Sequence, residues 1–193
     1  MSHSSIERTA ILKIRKTEFI WALVALIGVI LFGVLNGILI AIVLSILTLM
    51  YQANHPPVYA LGRKKGAKDV FRSLETHPDD ETFPGLLIIR TEGMLNFASI
   101  PRTKDKFYNL IIKYNPKVVL IDLSAVPDIE YTALLRFIQA EEKLREKGIE
   151  VQFAALNPKA LEIVRRSILG KRLGTKRMFF NLEEAVNSYI NLL

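Results

Sequence analysis

No cysteine occurs among the 193 residues, so the chain holds no disulfide framework and no thiolate metal site. That fits a domain facing the cytoplasm. Charge is missing over a long stretch. From Phe19 to Tyr51, thirty-three residues pass without an Asp, Glu, Lys or Arg. About twenty apolar residues already span a bilayer. The run is therefore too long for a buried core helix or the apolar part of a signal peptide. Internal repeats are absent. So are a nucleophile–base pair, a cofactor loop and a spaced ligand set, which argues against an enzyme and implies no cofactor or metal. The stretch His77-Pro78-Asp79-Asp80-Glu81 brings one histidine to clustered carboxylates and reads as a solvated acidic loop.

What is present explains the net charge of +7. Arg8, Lys13, Arg15 and Lys16 precede the apolar run, and Arg63, Lys64, Lys65 and Lys68 follow it. Basic residues near a membrane segment mark its cytoplasmic side. The excess charge is thus assigned to the membrane surface and not to nucleic acid. Both ends want the cytoplasm, which one span cannot satisfy and a hairpin can. As one straight helix the run would measure roughly 50 Å, against a hydrocarbon core of about 30 Å. The expectation is two short helices, Thr17–Gly33 and Asn36–Gln52, hinged at Gly33, Asn36 and Gly37. Gly28, Gly33, Gly37, Ala41 and Ser45 recur at intervals suited to close helix contact. Short, glycine-interrupted segments are typical of helices packed in a larger transporter bundle.

The chain divides into a cytoplasmic N-terminal segment (1–16), a membrane hairpin (17–52), a linker (53–83) and a globular domain (84–193). His55-Pro56-Pro57 stops the second helix. In the domain, Leu86–Ile89 reads as a strand, and Met94–Ala98 as a second one after a turn at Glu92-Gly93. Phe107, Leu110, Ile111 and Tyr114 share one helix face. Val118–Ile121 is a continuous apolar run, as expected of a strand covered on both faces. Ala133, Phe137, Ala140 and Leu144 mark a second helix, ending at Gly148. Ile149, Val151 and Phe153 alternate as a strand. Leu161, Val164 and Ile168 mark a third helix, Met178–Phe180 a short strand, and Leu182, Ala185, Val186 and Tyr189 a last helix. The order is β-β-α-β-α-β-α-β-α: a small α/β domain with a four- to five-stranded mixed sheet flanked by helices.

Several segments carry a resemblance. Tyr59-Ala60-Leu61-Gly62-Arg63, Pro84–Arg90 and Leu95-Asn96-Phe97-Ala98 resemble the junction and first strands of SulP-type anion permeases. Val119–Ile129 is similar to the signature of their STAS domain. The likeness runs from about Arg15 to the end. It implies a membrane α-helical hairpin followed by a cytoplasmic STAS-like domain, in a secondary transporter for sulfate or a similar inorganic anion. Such permeases have about fourteen membrane segments in two inverted repeats. This chain resembles the last two and the STAS domain, so the transport path is not expected in it. It implies either a piece of a permease or a natural remnant acting with another subunit. Implied partners are the bilayer, other transporter helices or a second subunit, and a homodimer is compatible. The implied location is the inner (cytoplasmic) membrane.

The loop Asp122–Asp128 leads into a helix beginning near Ile129. In STAS proteins of the anti-sigma-factor-antagonist type, the corresponding turn carries a phosphorylated serine. Here Glu130 and Tyr131 match the Asp-Ser pair, so the serine is absent and Thr132 is next. Asp128, Glu130, Tyr131 and Thr132 form a candidate regulatory turn. A helix N-terminus welcomes phosphate. The plainer alternative has Asp128 capping the helix while Tyr131 or Thr132 packs. Arg165, Arg166, Lys171, Arg172, Lys176 and Arg177 form a basic cluster, a candidate contact for anionic lipid or an acidic partner, with a solvated edge as alternative. The stretch Gly170–Lys176 lacks the spacing and preceding strand of a phosphate loop. Two functions remain: the C-terminal portion of a secondary anion transporter, with the domain serving regulation or assembly, or a stand-alone membrane-tethered STAS binding module.

Overall fold

A single glycine breaks the apolar run. The computed structural model describes residues 16–191, so the expected N-terminal segment with Arg8, Lys13 and Arg15 lies outside them. Helix α1 covers Lys16–Ala53 and is interrupted at Gly33, whose φ of 80° and ψ of 166° are not helical. Only glycine occupies that region without strain. In an unbroken helix, residues 28 and 37 would stand about 13.5 Å apart. Here a Cβ at Gly28 would be 3.7 Å from the Gly37 Cα, and one at Gly37 would be 2.5 Å from a Val29 methyl. The chain therefore doubles back at Gly33. Both contact glycines are buried, while Ile30, Leu31, Val34 and Leu35 around them are exposed. The break is confined to Gly33. Asn36 and Gly37, expected to share the hinge, are helical. The arm Gly33–Ala53 is long and apolar enough to cross a membrane, with mean hydropathy 2.4.

The chain separates into two compact units, Met1–Gln52 and Ala53–Leu193. The second unit is built on a six-stranded sheet of order β2-β1-β3-β4-β5-β6. Its elements are β1 (Val58–Arg63), β2 (Phe71–Ser73), β3 (Leu86–Thr91), α2 (Ile100–Tyr114), β4 (Val118–Asp122) and α3 (Tyr131–Glu146). After them come β5 (Glu150–Ala154), α4 (Pro158–Arg166), α5 (Ile168–Leu173), β6 (Met178–Phe179) and α6 (Leu182–Ile190). Strands β3 to β6 are parallel, and β1 is antiparallel to β2 and β3. The mixed sheet and its flanking helices were expected; the strand count of four or five was not met.

Two corrections produce the difference. The stretch 53–83, expected as a linker, supplies β1 and β2. Val58–Leu61 pairs with Ile88–Thr91 and buries Ala60 and Leu61, so a junction motif becomes a sheet strand. Met94–Ala98, expected as a strand, is a loop. The Asn96 side chain accepts the amides of Ala98 and Ser99, both at 2.9 Å, and such a turn competes with ladder pairing. The third helix is also divided. Ser167 is extended and caps α5 by accepting from the Gly170 amide, so α4 ends before Ile168.

Alternation along the strands builds two cores. Leu87, Ile89, Val119, Ile121, Val151 and Phe153 face α2, α3, α4 and α5. Leu86, Ile88, Leu120 and Ala154 face α6 through Leu182, Ala185, Val186 and Tyr189. Burial on both faces accounts for the unbroken apolar sequence of β3 and β4.

Candidate functional site

The carboxyl ends of parallel strands are where open α/β sheets place ligands. Here the ends of β3, β4 and β5 open on a cleft of about 510 Å³, bordered by Phe71 and by Asn181 and Glu183 at the start of α6. Its floor is an ion pair. Arg90 and Asp122 are register partners at the ends of β3 and β4, and Arg90 Nε donates to Asp122 Oδ2 at 2.6 Å. The Asp122 side chain is fully buried, and its other oxygen accepts the Ser124 amide at 2.9 Å. Asp122 thus bonds a loop amide, as its place at a strand end suggests. Burial pulls the Arg90 guanidinium down, but the charge and hydrogen bond of Asp122 outweigh this and leave its pKa raised. Beside Arg90, Tyr59 donates to Glu92. Burial first, then Glu92, raises the Tyr59 phenol above its ordinary value. Ala155 lines the same cleft with a φ of 56°, a left-handed conformation rare for alanine.

The turn into α3 follows directly. Asp128 does not cap the helix. Its Oδ1 accepts the adjacent Ile129 amide at 2.8 Å, and its Oδ2 accepts Lys159 Nζ at 2.6 Å. Lys159 is the first cause that holds the Asp128 carboxyl below its usual range. Glu130 occupies the cap position with no side-chain cap, and its carboxylate takes the Phe97 amide at 3.3 Å. The turn is thereby pinned to the 94–98 loop, with Glu130 N on Leu95 O at 2.9 Å. Tyr131 and Thr132 are exposed in the first turn of α3, so neither packs inward. The candidate turn is one cluster: Asp128, Glu130, Tyr131 and Thr132 lie together, held from Lys159 and Phe97. Among the described residues, no group of three His, Asp or Glu side chains is placed to hold a metal.

Residues 77–185 match the family described as the STAS domain. The chain belongs to the STAS domain family. High affinity sulfate transporter 2 of Stylosanthes hamata is 26% identical over 187 residues, covering 92% of this chain and 28% of the relative. Sulfate transporter 1.1 of Arabidopsis thaliana is 25% identical over 90% of this chain and 28% of its own length. The chain thus spans under a third of the curated relatives it matches, namely their C-terminal part. In fold it is similar to the murine Solute Carrier 26 family member A9 anion transporter, with a TM-score of 0.75 and 14% identity over 93% of this chain and 29% of that one. A sulfate transporter family protein from Wolinella succinogenes aligns at TM-score 0.52 and 20% identity, covering 63% of this chain and 97% of that one.

Within the STAS domain the basic cluster is only partly free. Arg172 reaches from α5 to Glu141 at 3.2 Å and Glu142 at 3.4 Å on α3. Arg177 donates to the Arg172 carbonyl, and Arg166 pairs with Glu162 at 2.7 Å. Arg165, Lys171 and Lys176 remain exposed. Of the six, Arg172 docks α5 on α3, Arg166 and Arg177 are paired locally, and Arg165, Lys171 and Lys176 face solvent. Reading the sequence missed Arg90, Lys159 and Asn181, which carry the cleft and the turn. The strands' register, not their composition, brings Arg90 to Asp122. Asn157-Pro158 and Asn181-Leu182 are helix-start signals, and they were the available pointers to the neighbouring loops.

Proposed function

We propose that this chain is the C-terminal portion of a SulP-type secondary transporter for sulfate or a similar inorganic anion, its STAS domain serving regulation or assembly. The observation that carries the reading is co-linearity: one match to sulfate transporters runs through both the apolar hairpin and the α/β domain. In this reading 17–52 is a membrane hairpin with both ends in the cytoplasm, and 84–193 is the cytoplasmic STAS domain, extended by strands from 53–83. The protein lies in the inner membrane, and its hairpin packs against other transporter helices or a second subunit. Conduction needs the broken helices of both repeats around the anion, and the hairpin supplies two arms only. Sulfate uptake into proteoliposomes tests this. The chain alone should give background uptake, and co-reconstitution with a permease core lacking its last two segments should restore it. Uptake by the chain alone would contradict the reading.

The turn Asp128–Thr132 is the proposed regulatory site. Exposure of Tyr131 and Thr132 at the amino end of a sixteen-residue helix supports phosphate acceptance there. Phosphopeptide mapping of protein isolated from cells checks it: a modification at neither residue removes the proposal. Arg165, Lys171 and Lys176 are the cluster members we assign to anionic headgroups, at about 1 kcal/mol each near the surface.

A further inference from the structure

Helices α2 and α3 lie side by side on the sheet and leave a slot between them. Its main cavity is about 480 Å³, within the roughly 300–1,000 Å³ of small-molecule sites. The floor is apolar: Phe107 and Ile111 from α2, Ile121 from β4, and Phe137 and Leu144 from α3. A second depression of about 280 Å³ adjoins it, sharing Lys104, Asp105, Ala140 and Lys143. Together they run from Ile100 to Ile111 on α2 and from Arg136 on α3 to its C-cap, Lys147. That is about 16 Å by helical rise. Ala140 opens the slot. It stands between Phe137 and Leu144 on the lining face of α3, where a larger side chain would fill the gap.

Charge marks the rim. Lys104 comes from α2, Lys143 from α3 and Lys147 from its C-cap, all exposed. Lys147 lies over the Tyr108 ring, 5.4 Å from its centroid. Asp105 and Glu146 are the opposing charges, so three cations face two carboxylates in the main cavity, and Arg136 adds a fourth cation in the adjoining depression. Lys104 and Lys143 make no ion pair among the described residues. A narrow, elongated apolar slot with a basic edge suits a linear hydrocarbon bearing one anionic end. We propose that the α2–α3 slot binds a long-chain fatty-acid anion, its acyl chain on Phe107, Ile111 and Phe137 and its carboxylate among Lys104, Lys143 and Lys147. The arm Gly33–Ala53 is long and apolar enough to cross a membrane, and a bilayer around it would keep such amphiphiles at high local concentration. The site is independent of the transport reading and would hold for a tethered module as well.

Photolabelling decides it. The full chain in zwitterionic nanodiscs is irradiated with a diazirine-bearing palmitate, and labelled peptides are mapped by mass spectrometry. Labels are expected within 104–111 and 137–147, displaced by unlabelled palmitate and not by hexadecanol. Ala140→Phe should abolish them. Because that variant fills a packed region, the exposed pair Lys143→Glu/Lys147→Glu serves as the second test and should lower labelling about tenfold, leaving labels on α1 unchanged. Labels confined to α1, equal displacement by hexadecanol, or indifference to both variants would overturn the proposal.

Discussion

Asp80 is a buried carboxylate in a region whose sequence reads as a solvated loop. Arg72 holds it with two bonds, Nε to Oδ2 at 2.9 Å and Nη2 to Oδ1 at 2.5 Å. The Arg72 hydrogen bond is the main reason its pKa is lowered. A carboxylate depressed in the folded state stabilises fully above its unfolded value, about 3.9. That stability drains as pH falls from there through the folded value. Asp80→Asn should therefore lower the melting temperature by an amount that is constant from pH 7 to about pH 5 and shrinks as the pH falls below about 4. A difference that persists undiminished well below about pH 4 would refute the pairing. Asp122 is fully buried, so removing its carboxylate takes away the ion-pair partner of Arg90. Asp122→Ala should cost about 3 kcal/mol in urea unfolding, the low end for broken buried pairs, because the Arg90 side chain keeps 26% exposure.

At the scale of elements, Gly33 and Gly37 do different work. Gly33 supplies a backbone conformation, and Gly33→Ala should cost about 1–3 kcal/mol of strain or straighten the helix. Gly37 supplies closeness, and Gly37→Leu should pry the arms apart. Spin labels at Leu26 and Leu39 report both, since an unbroken helix would hold those Cα atoms about 20 Å apart. The doubled-back chain should give a much shorter distance, and the Gly37→Leu variant a longer, broader one. The reversal was legible because basic flanks on both sides and a glycine in the middle agree. The helices α2, α3 and α6 and the strands β3 to β5 were legible too, since apolar periodicity marks them. β1 escaped because Val58–Arg63 mixes Gly, Tyr and Arg, and only pairing with β3 makes it a strand. The 94–98 loop misled in the opposite direction: Leu95-Asn96-Phe97 alternates, but Asn96 turns the backbone on itself. At the turn after β4, the Lys159 that holds Asp128 stands thirty-one residues away, and no local pattern announces it.

For the whole molecule, topology is the test that bears on every functional claim. A membrane-impermeant reagent should label a cysteine placed at Val34 from outside, and cysteines at Ser2 and Asn191 only after permeabilisation. External labelling of Asn191 would remove the hairpin from the membrane reading. Binding of the chain to anionic vesicles through Arg165, Lys171 and Lys176 should weaken steeply between 0.1 and 1 M salt, about the range where the screening length falls from roughly 10 to 3 Å. Charge reversal at all three should lower the excess of flotation with anionic over zwitterionic vesicles.

The sheet's outermost strands carry one more consequence. β2 has three residues and β6 two, while the strands between them have five or six. An exposed strand of full length is a template for runaway stacking of copies. Proteins confined to a membrane plane meet their own kind at high effective density, where such stacking would start. With both margins trimmed this short, the domain can be crowded without seeding fibres, and any lengthening of β6 by substitution at Phe180 should show first as aggregation.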